Sequence, residues 1–108
     1  MIIYNVTVKI DKDKTDEWLH WMKHHHIPEV LNTGFFVKCR LSKLDLNEDG
    51  HTYALQYDCP SMEHLNKYMM LCAPELQKKH IEKYAGSFVA FRTILQVVEE
   101  IYPQVSVN

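Results

Sequence analysis

Residues 2–10, Ile2-Ile3-Tyr4-Asn5-Val6-Thr7-Val8-Lys9-Ile10, alternate along their whole length, and their reading decides the fold. Ile2, Tyr4, Val6, Val8 and Ile10 share one apolar face, while Ile3, Asn5, Thr7 and Lys9 share the other. That period of two marks a strand with one side against a core. Directly after it the period changes. The charged stretch Asp11 to Thr15 offers Asp13 or Thr15 as a helix cap, with Asp16 and Glu17 in the first turn, where the helix dipole favours negative charge. Trp18, Leu19, Trp21 and Met22 carry an apolar stripe from there toward His26. Pro28 interrupts this helix, because it has no N–H for the His24 carbonyl and its ring crowds that carbonyl. A last turn, Pro28 to Leu31, stops at Gly34.

Phe35 to Leu44 reads as a second strand, with Val37, Cys39 and Leu41 opposite Phe36, Lys38, Arg40 and Ser42. A polar turn, Asp45 to Gly50, joins it to a third strand, His51 to Asp58, in which Tyr53, Leu55 and Tyr57 face inward. Ser61 caps a second helix, whose stripe is Leu65, Tyr68, Met69 and Cys72. Pro74 restarts that helix as Glu75 to Tyr84, Gly86 closes it, and Phe88 to Val98 is the last strand. The order β-α-β-β-α-β, with right-handed crossovers, predicts an α+β ferredoxin-like sandwich: a four-stranded antiparallel sheet with both helices on one face and the first and third strands central. The domain is expected to span residues 1–100, leaving 101–108, with Pro103, as a C-terminal tail or arm.

Composition narrows the function classes. A chain of 108 residues with 46% hydrophobic and 24% charged residues has the ordinary balance of one globular domain, which excludes a disordered or fibrous chain. The formal net charge of −2 leaves no basic excess to displace counterions from phosphates, so no nucleic-acid partner is expected. No apolar run approaches the ~20 residues that span a bilayer, and the alternating start does not read as a signal peptide. Cys39, Cys59 and Cys72 are odd in number and lack CxxC spacing, which fits a reducing cytoplasm and core packing. The expected setting is therefore cytoplasmic, with no membrane partner.

Each sheet face has a reading. On the last strand, alternation with the core places Val89, Phe91 and Leu95 toward the helices. The opposite face then collects Asn5, Arg40, Gln56, Asp58 and Arg92 among Ile3, Phe36, Phe88 and Ile94. A face so apolar between its polar groups points to a partner, most simply a second copy packed sheet to sheet as a homodimer. Arg92→Glu is expected to weaken that dimer more than Lys78→Glu.

The histidines are the candidate chemistry. His20 and His24, at i and i+4 on the polar helix side, have the spacing of a metal pair but no third ligand, so no metal is expected. Helical spacing puts His25 beside the Trp18, Trp21 and Met22 stripe, with His26 at its edge. His80 aligns with Ala73, Leu76 and Tyr84, the stripe facing the sheet. An imidazole there titrates near neutrality unless burial lowers it, so His80 is the best acid–base or ligating candidate, with Tyr68 and His26 as helpers. Trp18, Trp21, Tyr4 and Tyr53 are core residues that also suit the lining of a pocket for a small apolar or aromatic ligand. Pro28 and Pro74 deprive the His24 and Met70 carbonyls of their helical donors and are expected to shape any such pocket. Gly34, Gly50 and Gly86 all fall at turns, so no phosphate loop exists, and no cofactor is expected.

The segments Trp18-Leu19-His20-Trp21-Met22, His26-Ile27-Pro28, Thr33-Gly34-Phe35-Phe36 and Phe91-Arg92-Thr93 resemble an uncharacterised bacterial family, the domain of unknown function DUF4286, over nearly the whole chain. That family is similar to the dimeric α+β barrel superfamily, whose ferredoxin-like subunits pair through their sheets. The superfamily includes cofactor-independent monooxygenases, haem-degrading enzymes, isomerases and non-catalytic ligand binders, so the resemblance implies fold and dimer and leaves the activity open. Its haem-degrading members use a histidine and an aromatic on the second helix and an asparagine on the first strand. Here His80, Tyr68 and Asn5 correspond, but alternation turns Asn5 away from the helices.

Overall fold

Strand β1 (Ile2–Ile10) is hydrogen-bonded on both sides, as its central position requires. A computed structural model describes residues 1–44 and 51–105; the expected turn Asp45–Gly50 and the last three residues lie outside these. The remaining strands are β2 (Lys38–Lys43), β3 (Thr52–Cys59) and β4 (Phe88–Gln96), in the order β2-β3-β1-β4, all antiparallel. The expected ferredoxin-like architecture is therefore present, with the first and third strands central.

The first helical arm does not break at Pro28. It runs as α1 (Thr15–Trp21), one π-helical turn at Met22–His26, and α2 (Ile27–Leu31). The Ile27 N–H reaches back five residues to the Met22 carbonyl. A π-turn adds one residue to the helical turn and relieves the crowding a proline imposes on the preceding turn. The extra residue also rotates everything after it. Regular α spacing would carry His25 to the core; instead His25 is exposed and His26 is buried. Neither expected cap closes α1. Its N-cap is Lys14, without a side-chain bond, because a short 3₁₀ turn at Lys12–Lys14 precedes it and the Thr15 hydroxyl donates to the Asp11 carbonyl at 3.1 Å.

The second arm divides at Cys72 into α3 (Met62–Leu71) and α4 (Ala73–Tyr84), with Pro74 in the first turn of α4, where it leaves no helical donor missing. Ser61 caps α3 as expected, its Oγ accepting from the His64 N–H at 3.2 Å. Ser61→Ala is expected to cost about 1 kcal/mol, read as a lower urea midpoint with unchanged slope. Gly34 and Gly86 stop the two arms with φ of 85° and 76°, backbone that side-chain-bearing residues rarely adopt.

Two strand assignments differ from expectation. Residues 32–37 are a turn, not the start of β2, so Phe36 leaves the outer face and packs in the core, edge-on to Tyr68 (4.7 Å between ring centres) and beside Tyr57 (5.2 Å). Val37, expected inside, is exposed. On β4 the parity is reversed. The pairs Val8↔Ala90, Val6↔Arg92 and Tyr4↔Ile94 place Ala90, Arg92 and Ile94 on the helix side, because directly opposed residues share a face. Val89, Phe91 and Leu95 point outward and are largely exposed.

Candidate functional site

The core between sheet and helices closes around His80. Its imidazole is 5% exposed, stacked on Phe88 with 4.1 Å between ring centres, and fixed by a hydrogen bond: Trp18 Nε1–H donates to His80 Nε2 at 2.9 Å. Indole nitrogen only donates, so Nε2 is the acceptor and the neutral ring carries its proton on Nδ1. The π-turn brings His26 to within 5.5 Å of His80, ring centre to ring centre, and Trp21 stacks on both, 4.8 Å from His26 and 5.7 Å from His80. His26 Nδ1 is buried and has no hydrogen-bond partner among the described residues.

Between these rings and the sheet is a cavity of about 30 Å³. Tyr4, His26, Tyr57, Tyr68, Gln77, His80 and Arg92 supply its polar lining, with apolar side chains such as Val8 and Met22 filling the gaps. That volume suits a single water and nothing larger without movement. Arg92 is the exposed member of the lining, reaching over the mouth from β4, an outer strand. Both proline-modified segments contribute: the π-turn through Met22 and His26, and α4 through Leu76, Gln77 and His80.

Burial dominates the electrostatics. It lowers His80 to about 4, with His26 and the Arg92 guanidinium adding to the effect. It also lowers His26 to about 4; Glu29 opposes this, while Lys79 and Arg92 reinforce it. Both imidazoles are neutral at pH 7. Burial raises Tyr68 beyond the usual phenol range, and it raises Tyr4 against the pull of Arg92 and Gln77, so both remain protonated. The lining at neutral pH thus holds two neutral imidazoles, phenol hydroxyls and one cation at the mouth.

The family profile described as "Domain of unknown function (DUF4286)" matches residues 1–98. The chain belongs to this family. Among curated proteins nothing matches this DUF4286 chain. Among solved structures it is similar to a dimeric ferredoxin-like protein from an uncultured marine organism, 15% identical, covering 95% of this chain and all of that one with a TM-score of 0.71. It is also similar to a variant of SnoaB, a cofactor-independent oxygenase from Streptomyces nogalater (9% identical, 93% and 96% covered, TM-score 0.68). A third similar structure is a variant of MhuD with two manganese protoporphyrin IX molecules bound per active site (15% identical, 95% and 100% covered, TM-score 0.63). At such identities the likeness is one of fold.

Of the residues singled out in this DUF4286 sequence, the structure brings His80, His26, Tyr68 and Tyr4 to one cavity and places Trp18 and Trp21 against the imidazoles. Tyr53 instead packs against Trp18, 5.4 Å between ring centres, away from the lining. Asn5, Arg40, Gln56 and Asp58 lie on the outer sheet face as expected. Asn5 Nδ2 donates to Thr7 Oγ1 at 3.1 Å, Arg40 bonds Gln56 Oε1 from Nε at 3.3 Å and Nη2 at 3.2 Å, and Lys38 pairs with Asp58 at 3.9 Å. Arg92 is the correction: it belongs to the cavity, not to the outer face. Sequence alternation misses it because Phe88-Val89-Ala90-Phe91-Arg92-Thr93-Ile94-Leu95 is apolar on both parities, and only the pairing with β1 selects one.

His20 and His24 lie with 4.4 Å between ring centres, tilted at 44°, yet among the described residues no group of three or more His, Cys, Asp or Glu is arranged for a metal. The Cys39 thiol is pushed up to about 11, chiefly by burial, which makes it a poor nucleophile. The residues do not fit a haem: the cavity is of water size, Asn5 is on the other face, and the His80 Nε2 lone pair already accepts from Trp18. No helix among the described residues is long and apolar enough to cross a membrane.

Proposed function

We propose that this protein is a homodimeric ligand-binding protein of the ferredoxin-like class, taking a small aromatic ligand with one polar group between helices and sheet, behind Arg92. The observation that carries this reading is the unpartnered Nδ1 of His26, nine-tenths buried in an aromatic wall beside a cavity. A buried polar atom without a partner costs roughly 1–3 kcal/mol, and a ligand hydroxyl would recover it. Entry requires the Arg92 side chain to swing outward, which its exposure on an outer strand permits. The ligand would then lie against Tyr4 and Tyr68 and leave its polar end between His26 and Arg92.

The dimer is supported by the outer face of β4. Val89 and Phe91 are 65% and 63% exposed there, beside Leu95 and Ile3, an apolar stripe a monomer would leave in water. Arg40, Gln56 and Asp58 would enter such an interface already hydrogen-bonded or ion-paired, which limits the desolvation penalty, whereas Asn5 is paired through Nδ2 and its buried Oδ1 has no partner among the described residues. A stable pairing buries about 1,600 Å² in total.

A second reading, an enzyme of the cofactor-independent oxygenase or isomerase type, draws on the same nitrogen. His80 cannot offer Nε2 as a base while Trp18 donates to it, so His26, with its available Nδ1, is the better proton acceptor. One titration tests both readings. Small phenols and quinols are added while tryptophan fluorescence and oxygen uptake are followed, for wild type and His26→Phe. Saturable quenching that weakens about tenfold or more in the variant supports binding, and oxygen uptake lost with it supports catalysis. No quenching by any probe, or equal quenching in the variant, overturns the assignment of the cavity as a ligand site.

A further inference from the structure

We propose that a groove between α2 and α4 is the second half of the ligand site, and that the ligand is accordingly an elongated phenol. Its ring lies in the cavity, and an unbranched apolar chain passes Leu76 into the groove. This second half rests on the ligand reading above and supplies what that reading leaves open, the shape of the ligand.

The cavity alone is too small for the ligand it is built to hold. It measures about 30 Å³, whereas sites for small molecules occupy roughly 300–1,000 Å³. A larger groove of about 370 Å³, open to solvent, lies where the end of α2 meets the start of α4. Leu71, Cys72 and Leu76 supply its apolar lining, and Glu29, Asn32 and Glu75 are among its polar groups. Leu76 lines both spaces. Around it the two helices divide their residues in the same way. Val30 and Gln77 line the cavity, while Glu29 and Glu75, their near neighbours in the chain, line the groove. At Leu76, 8% exposed, the wall is therefore one side chain thick.

That wall opens by a side chain and not by parting of the helices. Lys79, one turn beyond Leu76 on α4, pairs with Glu29 on α2 at 2.7 Å and ties the two helices together beside the wall. A helical leucine has two accessible χ1 wells, so rotation about one bond carries the isobutyl group aside. An opening the width of one leucine passes a methylene chain and stops a second ring. Direction agrees with this order. Arg92 reaches the mouth from β4, one outer strand, whereas α2 packs on β2, the other outer strand. The mouth and the groove thus lie toward opposite edges of the sheet. A ligand whose hydroxyl stays between His26 and Arg92 and whose ring lies against Tyr4 and Tyr68 sends its para substituent inward, toward Leu76. Charge selects the far end. Of the two groove carboxylates, Glu29 is neutralised by Lys79, and Glu75 leaves the groove net acidic, so a chain ending in an amine suits it better than one ending in a carboxylate.

Calorimetric titration of wild type, Glu75→Trp and Glu75→Gln with 4-methylphenol, 4-hexylphenol, 4-(6-aminohexyl)phenol and 6-(4-hydroxyphenyl)hexanoate tests the groove. Glu75 is exposed, so a tryptophan there fills the groove without entering the core, which an unchanged unfolding midpoint verifies. In wild type, 4-hexylphenol is expected to bind at least tenfold more tightly than 4-methylphenol, through the burial of its added methylenes. Glu75→Trp is expected to lose that gain and to keep the affinity for 4-methylphenol. The amine is expected to bind about threefold more tightly than the carboxylate, a preference that Glu75→Gln removes. A 4-hexylphenol that binds no more tightly than 4-methylphenol, or a gain that survives Glu75→Trp, overturns the groove and leaves the ring site standing. Equal binding of the amine and the carboxylate overturns the assignment of the far end. No binding of any of the four phenols removes the ligand reading itself.

Discussion

Trp18→Ala is expected to destabilise the protein by about 3–5 kcal/mol, a large share of the 5–15 kcal/mol that holds a domain of this size together. Trp18 is completely buried, packs on Tyr53, and its Nε1–H is the donor to His80 Nε2. Alanine leaves a cavity in the centre of the core and an imidazole nitrogen without its donor. Trp18→Phe separates the two effects: it keeps most of the packing and loses the hydrogen bond, for an expected cost of about 1–3 kcal/mol. Urea denaturation followed by far-ultraviolet circular dichroism reads both. A Trp18→Ala midpoint within experimental error of wild type would mean that the neighbouring rings refill the space and that His80 is not held by this contact.

Acid is expected to have the second large effect. His26 and His80 fall to about 4 in the folded state from an ordinary value of 6.5, mainly through burial. Above pH 6.5 both states carry neutral imidazoles, and the stability is at its full value. Between 6.5 and 4 the unfolded chain binds protons that the folded chain refuses, so stability declines as pH falls, by on the order of 3 kcal/mol for one imidazole. The pair gives less than twice that, because each ring contributes to the other's shift. Urea midpoints from pH 7.5 to pH 4.5 measure the decline, and long-range ¹⁵N–¹H correlation spectra show whether these two rings keep the neutral tautomer at pH 5. A stability that does not change across this window would place both imidazoles in contact with water.

The charge balance of the site bears on its proposed ligand. With both imidazoles neutral and the phenols protonated, Arg92 is the one formal charge among the residues lining the cavity. A partly anionic hydroxyl fits that field better than a cation does. The same field makes His26 a weak base in the resting protein. An enzyme built on it would therefore need Arg92 to stabilise the phenolate, because a phenol, at about 10, is a far weaker acid than the His26 imidazolium, at about 4.

The sequence by itself determined the order of elements, and with it the fold. The alternation of Ile2 to Ile10, the Ser61 cap, the stops at Gly34 and Gly86 and the buried stripe through His80 are local signals: a backbone conformation, a capping bond or a helical period acts over a few residues and can be read there. Tertiary structure decided the rest. The parity of β4 is set by hydrogen bonds to β1, some eighty residues away in the chain, and because both of its faces are apolar no local signal could choose. That choice moved Arg92 from the outer face to the mouth of the cavity and turned Phe91 outward. The core likewise took Phe36 out of the expected second strand, because Tyr4, Tyr57 and Tyr68 leave an aromatic slot for it. The π-turn before Pro28 exchanged His25 for His26, since one added residue rotates a helix by about 100°. The site is thus assembled from residues whose types were legible and whose directions were not, because direction depends on partners that only the folded chain supplies.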